Sequence, residues 1–273
     1  MEHLVVSSHE RSSGRLDADT VERACKHVSL NGFVVLEKAI SPDLIDKVHD
    51  DWLELANHLL VHDPEKTSVG SREFRKNRIR MDIPFRQPYI DAQFVANPFV
   101  VPIVERILGQ DCRVFYYSAD APMSGSDYQV VHADYAPFFP ESDIVLPTAG
   151  LAVNFPLVDV TEGNGPMEVW PNSHRTSEKA FAAKADLQDA ARHVAPTRML
   201  TPRGSILIRD VRMWHRGTPN LSNQMRPNLA LVYGRSWWDG AYYPQETLGI
   251  TRAAYESLSE RAKHFFRLEP VAE

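Results

Sequence analysis

The chain has little cysteine, no excess of basic residues and no long apolar run. Cys25 and Cys112 are its only two cysteines among 273 residues. They match no metal spacing and cannot staple a fold, so they read as two thiols in a reducing compartment. Lys and Arg total 30 against 36 Asp and Glu, a net charge of −6. That sign is wrong for neutralising a phosphate backbone, and nucleic acid is not an expected partner. No apolar stretch reaches the ~18 residues that cross a bilayer. The opening MEHLVVSSHERSSGRLDADT mixes acid and base around one short apolar run at 4–6, which predicts a frayed N-terminus on a soluble, cytoplasmic protein. The G-x-S-x-G elbow, the P-loop, H-E-x-x-H and a strand-borne G-x-G-x-x-G are also missing, which sets aside the commonest hydrolase and nucleotide-binding classes.

What is present is an ordinary globular composition, 43% hydrophobic and 24% charged, with Pro and Gly scattered as turns and no linker or repeat. One domain over 1–273 is expected. Ser41 and Pro42 open a helix in which Ile45, Val48, Trp52, Leu55, Ala56 and Leu59 recur at helical spacing, over 42–60. Asn97 and Pro98 repeat the start signal, and Gly109 suits the end of a second helix. From Cys112 onward the runs CRVFYYS, YQVV, LAVNFPLVDV, MEVW, GSILIR and LALVYGRSWW read as strands separated by TEGNGP and TPRG turns. The predicted architecture is mainly β: a jelly-roll core at 111–240, helical N-terminal support at 17–110 and a C-terminal helix at 251–267.

H-x-D occurs at His49/Asp51 and at His132/Asp134. On a helix, residues two apart point to nearly opposite sides, whereas in extended chain they share one side. Only His132 and Asp134 can therefore hold one ion. A third ligand from a distant strand would leave three neighbouring positions open, and His215 is the best candidate. Arg226 follows eleven residues later; its planar fork can grip a carboxylate such as the far end of 2-oxoglutarate.

This ordered set resembles the phytanoyl-CoA hydroxylase-like (PhyH) branch of the iron/2-oxoglutarate oxygenases. LVDVTEGNGPMEVWPNSHR is similar to the family's strand, N-G and P-G-S-H turn, with Asn172 where glycine is usual, and LNGFVVLEKAISPDLIDKV resembles its opening strand and helix. IRDVRMWHRGTPNLS is most similar to members that tailor natural products. The resemblance implies a double-stranded β-helix (jelly roll), Fe(II), 2-oxoglutarate as co-substrate, O2, and oxidation of a small-molecule metabolite by hydroxylation or a related C–H oxidation. It implies His132, Asp134 and His215 as metal ligands, Arg226 as co-substrate clamp and Gln129 as a further co-substrate contact. An acid at 134 argues against halogenating variants, and His174 is expected to be architectural. A monomer or homodimer is expected, with no membrane partner.

Tyr135, Phe138, Trp237 and Arg78 are candidate substrate contacts. Arg78 belongs to the alternating stretch SREFRKNRIRMDIPF at 71–85, in which Arg78, Arg80 and Asp82 share one face. Segments 71–90 and 135–145 are expected to lie as lids over the site. Two other classes stay open at this point: a non-catalytic cupin-like metal binder or sensor, and a zinc-dependent hydrolase, since two His and a carboxylate also suit zinc.

Overall fold

The computed structural model describes residues 3–62, 76–238 and 248–273. The chain opens with β1 (His3–Val5), α1 (Ser8–Ser13), α2 (Ala18–Asn31), β2 (Phe33–Glu37) and the long α3 (Pro42–His62). Then come β3 (Arg78–Asp82), α4 (Ala92–Val95), α5 (Val101–Leu108), β4 (Arg113–Pro122), β5 (Gly150–Pro156) and β6 (Met167–Val169). α6 (Glu178–Ala182), α7 (Lys184–Arg192), β7 (Thr197–Met199), β8 (Ile206–Asp210), β9 (His215–Gly217) and β10 (Asn228–Gly234) follow. β11 (Ile250–Thr251), α8 (Arg252–Ser257), α9 (Glu260–Phe265) and β12 (Val271–Ala272) close the chain.

The strands form a large mixed sheet, ordered β1-β2-β8-β5-β10-β4-β3, and a smaller sheet, β7-β6-β9, with β11 and β12 pairing separately. Only β1 and β2 are parallel within the large sheet. Alternation along each strand sorts its side chains by face. Val34, Ile208, Val153, Leu231, Ala119 and Ile79 belong to one core, shared with Val28, Ile45, Trp52, Ile103 and Phe265 of the helices. The opposite face carries Arg209, Ala152, Asn154, Asn228, Ala230, Val232, Tyr116, Ser118, Asp120, Arg78 and Arg80, and there the site lies. Among the described residues no helix is long and apolar enough to cross a membrane.

Several expectations change. The N-terminus is not frayed: β1 pairs in register with β2, His3 opposite Val35, and Leu4 and Val6 are buried. The acids and bases that suggested fraying are structural, since Ser7 and Glu10 form a reciprocal capping box and Glu10 also accepts from the Asp17 N–H at 3.0 Å. YQVV is not a strand; its chain runs irregularly into a single bridge between His132 and His215. The C-terminal helix at 251–267 is two helices, because Leu258 is extended and Ser259 caps a new start at the Ala262 N–H. Residues 71–75 of the expected basic strand and 239–240 of the expected core fall outside the described residues.

Candidate active site

Two extended segments meet to build the site. The His132 N–H donates to the His215 carbonyl at 3.0 Å and the His215 N–H returns the bond at 2.9 Å. This hydrogen-bonded antiparallel pairing puts the two imidazoles on the same side, their ring centroids 4.2 Å apart. Asp134, two residues beyond His132, is fixed by its own N–H bonding to the Val211 carbonyl at 2.9 Å. Each histidine uses Nδ1 on the carbonyl two residues before it, Val130 at 2.9 Å and Met213 at 3.0 Å. A carbonyl only accepts, so Nδ1 carries the proton and Nε2 presents its lone pair. One such atom from each histidine and a carboxylate oxygen of Asp134 lie within 4.8 Å of one another. Nε2 of His215 is 3.4 Å, and that of His132 4.0 Å, from the carboxylate.

Sequence reasoning missed the residue that governs Asp134. Arg209, buried on β8, donates Nη2 to Asp134 Oδ2. Burial opposes ionisation of Asp134, but the Arg209 charge and hydrogen bond, together with the neighbouring histidines, outweigh it and hold the carboxyl well below the usual carboxylate range. The histidines also favour that anion when charged, yet burial and the nearby Arg209 push His215 well below its ordinary value and keep it neutral. Arg209 is the largest of the charges that favour the anion. The signal was legible as a lone Arg within ILIRD, a strand buried throughout, because a charge in such a strand needs a buried partner. Next to it, Arg212 donates to Asp210 through Nε at 2.9 Å and Nη2 at 2.7 Å, and Thr148 donates to Asp210 at 2.7 Å. This knot fixes the turn that delivers His215.

These groups open onto a cavity of about 340 Å³ between the two sheets, at the small end of the range for small-molecule sites. Its lining includes His132, Asp134, His215, Gln129, Arg78 and Arg226. Arg226 is buried; Nη2 donates to the Gly165 carbonyl at 2.7 Å, and Nε has no hydrogen-bond partner among the described residues. Burial, with the Arg78 charge, pushes its pKa down to about 10 against the opposing pull of Asp120, so it stays charged at neutral pH. Arg78 bonds to Asp120 and to the Thr218 carbonyl, each at 3.1 Å, and packs so closely on Gly217 that a Cβ there would lie 2.2 Å from Nη2. Gln129 pins β9 by accepting from the Gly217 N–H at 2.7 Å.

Tyr135, Phe138 and Trp237 do not line this cavity. They form a separate aromatic group, Phe138 lying 5.8 Å by centroid from both Tyr135 and Trp237. The Tyr135 hydroxyl donates to Glu178 at 2.8 Å, and Glu178 also accepts the Phe138 N–H at 2.6 Å, which ties this segment to α6. Of the stretch 71–90, residues 78–82 are β3 inside the sheet. His49, on α3, lies 3.7 Å from Asp50 and is not in the cluster. His174 bonds to the Ser29 carbonyl at 3.1 Å and packs on Gly32; Asn172, in place of glycine, adopts φ 69°, a left-handed conformation Asn tolerates.

Residues 28–228, which include His132, Asp134, His215 and Arg226, match the family described as Phytanoyl-CoA dioxygenase (PhyH). The non-heme alpha-ketoglutarate-dependent epimerase SnoN from nogalamycin biosynthesis has the same fold, with a TM-score of 0.63 at 19% identity over 81% of this chain and 85% of that one. The carbocyclase SnoK from the same biosynthesis gives 0.60 at 17% over 81% and 85%. EctD from S. alaskensis with bound Fe gives 0.59 at 20% over 81% and 77%. The chain belongs to the phytanoyl-CoA dioxygenase (PhyH) family, and so to the non-haem iron dioxygenases that use 2-oxoglutarate.

Proposed function

We propose that this protein is an Fe(II)- and 2-oxoglutarate-dependent oxygenase that oxidises a C–H bond of a small-molecule metabolite. The observation that carries the reading is the convergence of His132, Asp134 and His215 at a cavity that also holds the buried, charged Arg226. The donor set fits Fe(II): two imidazoles whose Nδ1 atoms are taken by carbonyls, so that Nε2 is left for a metal, and one ionised carboxylate leave neighbouring positions open. The orphaned Nε of Arg226 fits a carboxylate, which would replace water as its partner. The two sheets are read as the faces of a double-stranded β-helix within one domain.

The residues divide the work. The backbone carbonyls of Val130 and Met213 hold the two imidazoles in the ligating tautomer. Arg209 keeps Asp134 anionic and occupies one of its oxygens, leaving the other for the metal. Arg226 receives the far carboxylate of 2-oxoglutarate. With iron, 2-oxoglutarate and O2 bound, the group supplies an oxidant able to break an unactivated C–H bond while 2-oxoglutarate leaves as succinate and CO2. The likeness to SnoN and SnoK supports a tailoring role in secondary metabolism. The test is Fe(II)-dependent conversion of 2-oxoglutarate to succinate by the purified protein: activity in the wild type and none in Asp134→Ala supports the reading, and equal activity in both overturns it.

A further inference from the structure

Four guanidiniums line the cavity, those of Arg78, Arg80, Arg209 and Arg226, and they face two carboxylates, Asp120 and Asp134. Arg209 is taken by Asp134 and Arg78 by Asp120. Among the described residues, neither Arg80 nor Arg226 forms an ion pair with a carboxylate. If Arg226 receives one end of 2-oxoglutarate, Arg80 still has no carboxylate in ion-pair contact, with Asp82 and Asp120 acting on it only from farther off. The doubly charged co-substrate does no more than offset a ferrous ion, so the wall keeps its excess positive charge after both have bound.

We infer that Arg80 recognises the substrate, and that the substrate is a small organic anion with a carboxylate or phosphate head. The inference rests on the oxygenase reading above and adds the substrate class. Arg80 projects from β3 on the cavity face, opposite Asp120 in the strand register. That carboxylate is already held by Arg78. The Arg80 guanidinium lies over the ring of Tyr116, 5.4 Å from its centroid. Arg80 also bonds to the Tyr116 hydroxyl, but a guanidinium has five N–H donors, more than one phenol can use, so donors remain to grip an anion. Tyr116 pairs with Val232, Val232 with Ala152, and Ala152 with Arg209, in one row across the sheet. Arg80 thus lies at the Tyr116 end of this row, whose backbone is three strand spacings, about 14 Å, from that of Arg209. A substrate held there by its head can extend its body toward the ligands. The neighbouring Asn154, whose Oδ1 is buried without a partner among the described residues, adds a polar contact in between.

The test uses probes that differ only in the head: phenylacetate against phenylacetamide, hexanoate against hexanamide, and phenyl phosphate against phenol as the phosphate arm. Binding to the anaerobic protein loaded with Fe(II) and 2-oxoglutarate is measured by calorimetry, while the visible absorption of the iron–2-oxoglutarate complex is recorded in parallel. The expected result is that the anion of a pair binds at least about tenfold more tightly than its neutral twin. Arg80→Gln should cut that preference to about twofold or less, and Arg80→Lys, which keeps the charge and loses the fork, should fall between. The 2-oxoglutarate titration should be unchanged in both variants. Preference for the carboxylates or for phenyl phosphate identifies the head. Equal response of acid and neutral twin in the wild type, including none from either, overturns the inference, as does a preference that survives both substitutions. A wild type without the iron–2-oxoglutarate absorption instead overturns the oxygenase reading, and calorimetry still decides the anion preference.

Discussion

Replacing Arg209 with leucine removes the guanidinium bonded to Asp134 and leaves a carboxylate among buried groups. Arg209 is 5% exposed at its side chain and Asp134 15%, so little water can take the place of the guanidinium. Stranding one member of a buried pair costs about 3–5 kcal/mol, and the low end applies because Asp134 can relieve itself by taking up a proton. For a chain of 273 residues about 3 kcal/mol corresponds to a fall in Tm of roughly 6–12 °C for the metal-free protein. The sign with pH follows from the same pair. In the wild type the Asp134 pKa is depressed, so its contribution is present above the unfolded value of about 3.9 and is lost as pH falls below it. In Arg209→Leu burial dominates, the pKa rises, and a proton must leave before a metal can bind. Mn(II) affinity of the variant relative to the wild type should therefore fall as pH drops from 8 to 6, by up to about tenfold per unit below the raised pKa. Removing Arg209 also relieves the charge that lowers the His215 pKa, which acts in the same direction. Saturating Mn(II), by supplying the missing positive charge, should recover part of the lost Tm. An unchanged Tm together with a pH-independent affinity ratio would refute the reasoning.

Other expectations are as specific. His215→Ala should abolish Fe(II) binding measured by calorimetry, while His49→Ala, on the far helix, should leave it unaltered; equal loss in both contradicts the assigned cluster. Gly217→Ala sets a Cβ 2.2 Å from Arg78 Nη2 and should cost about 1–3 kcal/mol by chemical denaturation. Adding Arg78→Met should recover part of that cost, and strict additivity would show that Arg78 is not the obstacle. Glu10, whose pKa is lowered to about 2 because bonds from the Asp17 and Ser7 backbone overcome its burial, contributes stability above its unfolded value of about 4.3 that is lost as pH falls toward 2. Glu10→Gln should lower Tm at pH 7, with the gap to wild type narrowing between pH 5 and 3; a constant gap argues against the carboxylate.

The clustering of His132, Asp134 and His215 was legible because extended chain has a fixed period: His132 and Asp134 share a side at any twist, and His215 stands beside a Gly-Thr-Pro turn. The helix at Pro42 and the main strands were legible for similar local reasons. The N-terminal strand was not, since three residues earn their place by pairing with β2, a partner invisible in sequence. YQVV has strand-like composition, but its backbone bonds go to β9 and to Gln188, which pairs with both the N–H and the carbonyl of Val131. Tyr135 and Phe138 follow the ligands closely in sequence, yet Glu178 draws them to α6 and away from the cavity. In β3 the alternation was read correctly, but which charged residue faced inward depended on Asp120 and Gly217, both remote in sequence; Arg78 and Arg80 both do.

The central claim is that one metal and one 2-oxoglutarate share this cavity, the metal on His132, Asp134 and His215 and the co-substrate carboxylate on Arg226. Anaerobic titration of the Fe(II)-loaded protein with 2-oxoglutarate, followed by visible absorption, tests it most directly. A saturable band with one equivalent bound is predicted for the wild type. In Arg226→Leu the 2-oxoglutarate Kd should rise about a hundredfold or more, with Fe(II) affinity near normal, and Arg226→Lys should be intermediate. No band in the wild type, or the same Kd in Arg226→Leu, would contradict it.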